Sequence, residues 1–238
     1  MKNIVRIGFA WTVIILCHPE AKSQAAVLAL IFGDRVASES FHLSLDIGLN
    51  ATSLPGLDQR KPTVGLNFGL GTFIKLNDRW ALTPEFKPLS GRGARDVKSF
   101  YENVPLEDIQ SNVHLNYIDV PVLVQYKATD RLFISIGPEI SFVTEAKQHT
   151  SGTLSTGQEI IISETIFSLV NDIDLAVPLE VGYSLAKGIM GKAVDLKMRY
   201  AFGLTEVLTD KAQASSRNST FQVMLSFPFI EKHEKKTK

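Results

Sequence analysis

The chain has 238 residues, and 25 Lys+Arg balance 25 Asp+Glu, so the formal net charge is zero. That balance argues against a dedicated nucleic-acid binder, which carries a basic face. A content of 45% hydrophobic and 21% charged residues excludes a long disordered protein, and no apolar run reaches the roughly 18–20 residues of a spanning helix.

The first 25 residues read as a secretory signal peptide. Lys2 and Arg6 form a short positive start, Ile7 to Cys17 is apolar, and Ser23 and Ala25 place small side chains at −3 and −1 of a cut after Ala25. The only cysteine, Cys17, lies inside this segment. The rest of the chain therefore has neither a disulfide framework nor a cysteine metal site, in keeping with export. Residues 26–40 read as a pre-barrel segment on the periplasmic side. It is either an amphipathic piece at the membrane edge or the start of an extended first strand.

From residue 41 one pattern recurs. Phe41, Leu43, Leu45, Ile47 and Leu49 alternate with His42, Ser44, Asp46, Gly48 and Asn50. This two-residue period predicts a strand with one apolar and one polar face. Similar runs cover 64–76, 79–89, 114–127, 132–143, 172–185, 193–204 and 220–229. Eight strands of this length exceed the five or six residues usual in soluble proteins and suit a tilted membrane crossing of about 9–11 residues. The connections alternate: 77–78, 128–131 and 186–192 are short, whereas 51–63, 90–113, 144–171 and 205–219 are long. Short periplasmic turns and long external loops mark an outer-membrane barrel. The expectation is an all-β, eight-stranded antiparallel up-and-down transmembrane β-barrel over 41–229, followed by a charged periplasmic tail over 230–238.

Alternation also fits a soluble lipocalin-like periplasmic binding barrel, with the apolar face inward. Two features place the polar face inside. It is rich in glycine, at Gly48, Gly65, Gly69, Gly71, Gly137, Gly182 and Gly203, and glycine suits a crowded lumen better than an exposed strand. It also carries both signs of charge. Asp46, Glu85, Asp119, Glu139, Asp174, Glu180 and Asp195, with Lys87, Lys127, Lys197 and Arg199, are expected to interlock as a lumenal ion-pair network; Lys75 and His42 share that face. Aromatics near strand ends, including Trp80, Tyr117, Tyr126, Tyr183 and Tyr200, fit interfacial girdles.

The stretch Phe32-Gly33-Asp34-Arg35-Val36-Ala37, residues 65–75, LNYIDVPVLVQY at 115–126 and FISIGPEIS at 133–141 resemble the PorT-type outer-membrane β-barrel proteins of Bacteroidetes. The resemblance spans about 26–229. It implies an outer-membrane barrel; one member of that family is tied to type IX secretion and gliding, and the resemblance supplies no catalytic residues.

An eight-stranded barrel has room only for its own side chains. The expected function is therefore that of a structural or interaction module in outer-membrane lipid. It would meet envelope protein partners through loops 90–113 and 144–171, possess no enzymatic activity, and need neither cofactor nor nucleic acid. A narrow channel for small solutes is an alternative. An outer-membrane acyl hydrolase or transferase is another, with His114 and His149 beside Asp96, Asp108 or Ser111 as its candidates, although no spacing among them is diagnostic. The acidic and histidine residues show no metal-ligand spacing.

Overall fold

The computed structural model describes residues 40–57, 61–100, 106–185, 194–212 and 214–229. The expected signal peptide over 1–25, most of the expected pre-barrel segment over 26–40 and the expected tail over 230–238 lie outside the described residues.

Among the described residues ten strands follow in order: β1 (Phe41–Ser53), β2 (Lys61–Lys75), β3 (Trp80–Val97), β4 (Glu107–Lys127), β5 (Leu132–Ile136), β6 (Glu139–Thr153), β7 (Glu159–Thr165), β8 (Ile173–Leu185), β9 (Val194–Gly203) and β10 (Ser219–Pro228). All pair antiparallel. β5 and β6 are two parts of one barrel strand, since both lie between β4 and β8. Pro138 has no N–H for the ladder, and the strand is interrupted at Gly137-Pro138. Counted this way the ring has eight strands, closed by β1 on β10 from Ser44↔Pro228 to Ser53↔Ser219. β7 lies outside the ring as a hairpin on the upper part of β6.

The orientation of the faces follows the alternation. Ile47, Leu49, Leu66, Phe68, Leu70, Phe86, Val122, Val124, Leu179, Val181, Phe221 and Val223 point outward and are exposed. Asp46, Glu85, Asp119, Ser135, Glu180, Arg199 and Gln222 point inward and are buried. An exposed apolar band around a buried ionic interior suits lipid on the outside, because water would not favour either surface. On β4 the outward residues are apolar at Ile118, Val120, Val122 and Val124, then polar at Asn116, His114 and Asn112. The band thus ends near Asn116, and residues 107–116 stand above it. At the other edge Trp80 packs on Tyr126 with ring centroids 4.8 Å apart. Arg79 and Arg131 donate to the hydroxyls of Tyr126 and Tyr183 at 3.3 and 3.5 Å, as amphipathic rings at an interface do.

Three expectations are corrected. The connections 90–113 and 144–171 are largely sheet: β3 runs to Val97, β4 starts at Glu107, β6 runs to Thr153 and β7 follows. Tyr117 is no girdle residue but is fully buried in the lumen. Lys127 and Lys75 do not face the lumenal network; they pair with Asp130 at 3.0 Å and Asp78 at 2.8 Å in the short turns.

Candidate functional site: the filled lumen and the external sheet

Three levels stack along the barrel axis. Nearest the short turns is an open vestibule of about 210 Å³, lined among others by His42, Gln125, Phe133, Asp195 and Lys197. Asp195 accepts a hydrogen bond from Ser184 at 2.6 Å there, and His42 stacks on Phe73 at 4.6 Å. Phe133 folds over the cross-strand Gly182, where any Cβ would collide with its ring. An aromatic covering a glycine in this way pins the register of two strands.

Above the vestibule the charges interlock in two groups. In the lower, Lys197 Nζ bonds Asp46 at 3.0 Å and lies 3.6 Å from Glu85. Glu85 also holds Arg199 at 2.7 Å and Lys87 at 3.2 Å, and Arg199 reaches Glu180 at 2.5 Å. Ser44 and Ser226 donate to Asp46, and Ser135 to Glu180. Three acids face three bases. In the upper group one guanidinium serves three carboxylates. Arg92 donates to Asp119 at 2.7 Å, Glu139 at 3.0 Å and Asp174 at 3.3 Å, and to Ser141 at 3.2 Å, and its plane lies 4.6 Å over the Tyr117 ring. Asp174 also receives Asn218 at 2.6 Å and Thr205 at 2.7 Å.

Of the residues expected in the network, the structure brings together Asp46, Glu85, Lys87, Asp119, Glu139, Asp174, Glu180, Lys197 and Arg199. It leaves Asp195 and Lys127 at the vestibule, which both line, with Lys127 at the end of β4 paired to Asp130 of the adjoining turn. The hub of the upper group, Arg92, was expected in a loop. Strict alternation would turn it outward, because Lys87 faces in and Arg92 is five residues later. The register shows why it faces in: Lys87 pairs with Asp119 and Ser90 with Tyr117, so β3 advances three residues while β4 advances two. The extra residue is a bulge at Pro88-Leu89, both exposed, and it reverses the parity from Ser90 to Ala94, until another irregularity between Ala94 and Val97 restores it. The pair of consecutive apolar residues followed by Ser-Gly-Arg was the available sequence signal.

The third level is an apolar cap. Leu54, Leu57, Ala94, Val97, Val113, Leu115, Tyr117, Ala146, Ile166, Val170, Val207 and Leu208 form one buried cluster. The β1–β2 connection supplies Leu54 and Leu57, and two further connections fold inward to complete it. They are tied by a Val170↔Leu208 bridge, by Asn171 N–H to the Val207 carbonyl at 2.8 Å and by Thr209 N–H to the Leu169 carbonyl at 2.9 Å. The short apolar clusters Ile166-Phe167, Leu169-Val170 and Val207-Leu208 in these connections were the sequence trace of the cap.

Outside the ring, β3, β4, β6 and β7 continue as one sheet. A bulge in β6, where Val143 pairs with Tyr117 and Glu145 with Asn116, reverses the parity of that strand. Glu145, Lys147 and His149 consequently point outward, alongside Asn112, His114 and Asn116 of β4. Lys147 pairs with Glu145, which also accepts from Asn116 at 2.8 Å. These two bonds hold the Glu145 carboxyl below its ordinary range. His114 and His149, from connections 35 residues apart in sequence, meet edge-on with ring centroids 5.1 Å apart. Partial burial, then the neighbouring His149, pushes the His114 imidazole down. The other hydrolase candidates are elsewhere: Ser111 faces inward and bonds Thr150 at 2.9 Å, and Asp96 pairs with Lys61.

No curated protein matches the sequence. Among solved structures, Ail, the attachment invasion locus protein of Yersinia pestis, is 16% identical, with 80% of this chain and 99% of that chain covered and a TM-score of 0.41. OprG of Pseudomonas aeruginosa is 11% identical over 82% and 98%, with a TM-score of 0.41. AlkL, determined in DMPC lipid bilayers, is 12% identical over 83% and 93%, with a TM-score of 0.45. The family model described as outer membrane protein beta-barrel domain matches residues 33–209, well over half of the sequence. With its closed eight-stranded ring, apolar exterior and ionic interior, the chain belongs to the outer membrane protein beta-barrel domain family.

Proposed function

We propose that this outer-membrane protein is an interaction module. It holds the external β3–β4–β6–β7 sheet above the lipid for an envelope protein partner, and it performs no catalysis and conducts no solutes. The observation that carries the reading is the pairing of a filled lumen with a sheet that outruns the membrane. Arg92, Arg199 and their carboxylates occupy the axis, and the apolar cluster seals its external end. Meanwhile β6 and β7 project beyond the ring, and the outer edge of β7 has no strand partner among the described residues. An open edge rich in β-branched residues, with Ile161 72% exposed, is a template for an extended segment of a partner. The likeness of LNYIDVPVLVQY and FISIGPEIS to PorT-type barrels supports placing that partner in an envelope or secretion complex.

The test has two arms. Proteoliposomes of the purified protein are expected to take up no small sugars in a swelling assay and to give no unitary conductance in planar bilayers; uptake or regular conductance steps would favour the narrow-channel reading and sink this one. Crosslinking in intact cells from a photoreactive residue at Ile161 is expected to trap one defined envelope protein, whereas the same probe at lipid-facing Leu179 is not.

A further inference from the structure

We propose that His114 and His149 form a two-imidazole site for a divalent transition-metal cation of the zinc or copper class on the outer face of the external sheet. The inference is independent of whether that sheet binds a protein. Both residues sit above the apolar band on adjacent strands, and the parity change in β6 brings His149 to the same face as His114.

The ring separation fits a shared metal. A zinc ion about 2.0–2.1 Å from each ligating nitrogen lies roughly 3.2 Å from each ring centroid, and a tetrahedral angle of about 109° then sets the centroids about 5.2 Å apart. The observed separation is 5.1 Å, with the rings inclined at 68°. The surroundings tolerate a cation. Lys147, opposite His114, is already paired with Glu145, so the immediate face carries no net positive charge. Opposite His149 stand Asn112 on β4 and the small Ser163 on β7.

Among the described residues no group of three or more His, Cys, Asp and Glu side chains gathers closely enough to hold a metal. The cation would thus have two protein ligands, with water in its other positions. Such a site is exchangeable rather than structural, since closed four-ligand sites are the structural kind. Imidazole donors suit Cu²⁺ and Zn²⁺ over Mg²⁺ or Ca²⁺.

The experiment uses the untagged full-length protein in lipid nanodiscs, titrated with CuCl₂ and with ZnCl₂ alone. One equivalent of Cu²⁺ is expected to bind with an EPR signal of two-nitrogen equatorial ligation, and Zn²⁺ is expected to compete with it. Partners that only buttress metal ligands are already worth about 10–100-fold in affinity, so His114→Asn and His149→Asn should each weaken binding at least about tenfold. The double variant should show no nitrogen-ligated Cu²⁺. Because both side chains lie on an outer face, the heat-modifiability shift on a gel should persist and certify folding. Cu²⁺ binding that survives in the double variant, or a wild-type spectrum with fewer than two nitrogens, overturns the proposal.

Discussion

Replacing Arg92 with methionine removes the only cation within salt-bridge distance of Asp119, Glu139 and Asp174 among the described residues. Its side chain is fully buried, so no water replaces the lost hydrogen bonds. Taking one partner from a buried ion pair costs about 3–5 kcal/mol. The lumen can limit that cost by taking up one proton to restore the lost charge. From an ordinary carboxyl pKa near 4, this costs about 4 kcal/mol at pH 7 and about 1.4 kcal/mol at pH 5. The two figures agree at neutral pH and predict a pH signature. In urea unfolding from lipid vesicles, followed by tryptophan fluorescence, R92M is expected to lose about 4 kcal/mol at pH 7, and acidification to pH 5 should recover most of it. Arg95→Met is the control, since Arg95 is exposed on the same strand and only donates to the Pro62 carbonyl at 3.1 Å. It should change stability by no more than about 0.5 kcal/mol. A loss below about 1 kcal/mol for R92M, or one unaffected by pH, would refute the reasoning.

Val122→Arg places a charge on the lipid face of β4 and should cost about 2–4 kcal/mol, measured in the same unfolding assay; a variant as stable as wild type would turn the barrel inside out. Gly182→Ala drives a methyl into the Phe133 ring and should cost about 1–3 kcal/mol, with Phe133→Leu in the same chain restoring part of it. Glu206 accepts from Ser215 at 2.7 Å and Arg217 at 3.1 Å, and these bonds, Ser215 first, hold its carboxyl below the ordinary 4.5. Its folded value is depressed, so the clasp contributes fully above 4.5 and is lost as pH falls through the lower value. The protection of amides in residues 205–217, taken relative to the falling intrinsic exchange rate, should drop between about pH 5 and 3, and Glu206→Gln should abolish that dependence.

The alternation along 41–50, 118–127 and 193–200 was enough to determine eight barrel strands and their closure as an antiparallel meander. Alternation assigns every side chain to one of two faces, and the glycines and mixed charges of the polar face, rather than the period itself, determined which face meets lipid. Asp46, Glu85, Asp119 and Arg199 could be placed in the lumen on that ground alone. Periodicity fails where one extra residue reverses it, and the structure alone located those places. The bulge at Pro88-Leu89 turns Arg92 inward to become the hub of three carboxylates, and the bulge at Val143-Thr144 turns His149 outward beside His114. A bulge is set by how two strands share a register, and that information lies in the partner strand. The apolar cap depended on the fold for a similar reason. Leu54, Ile166 and Val207 lie in three separate connections, and only the closed ring brings their ends within reach of one another.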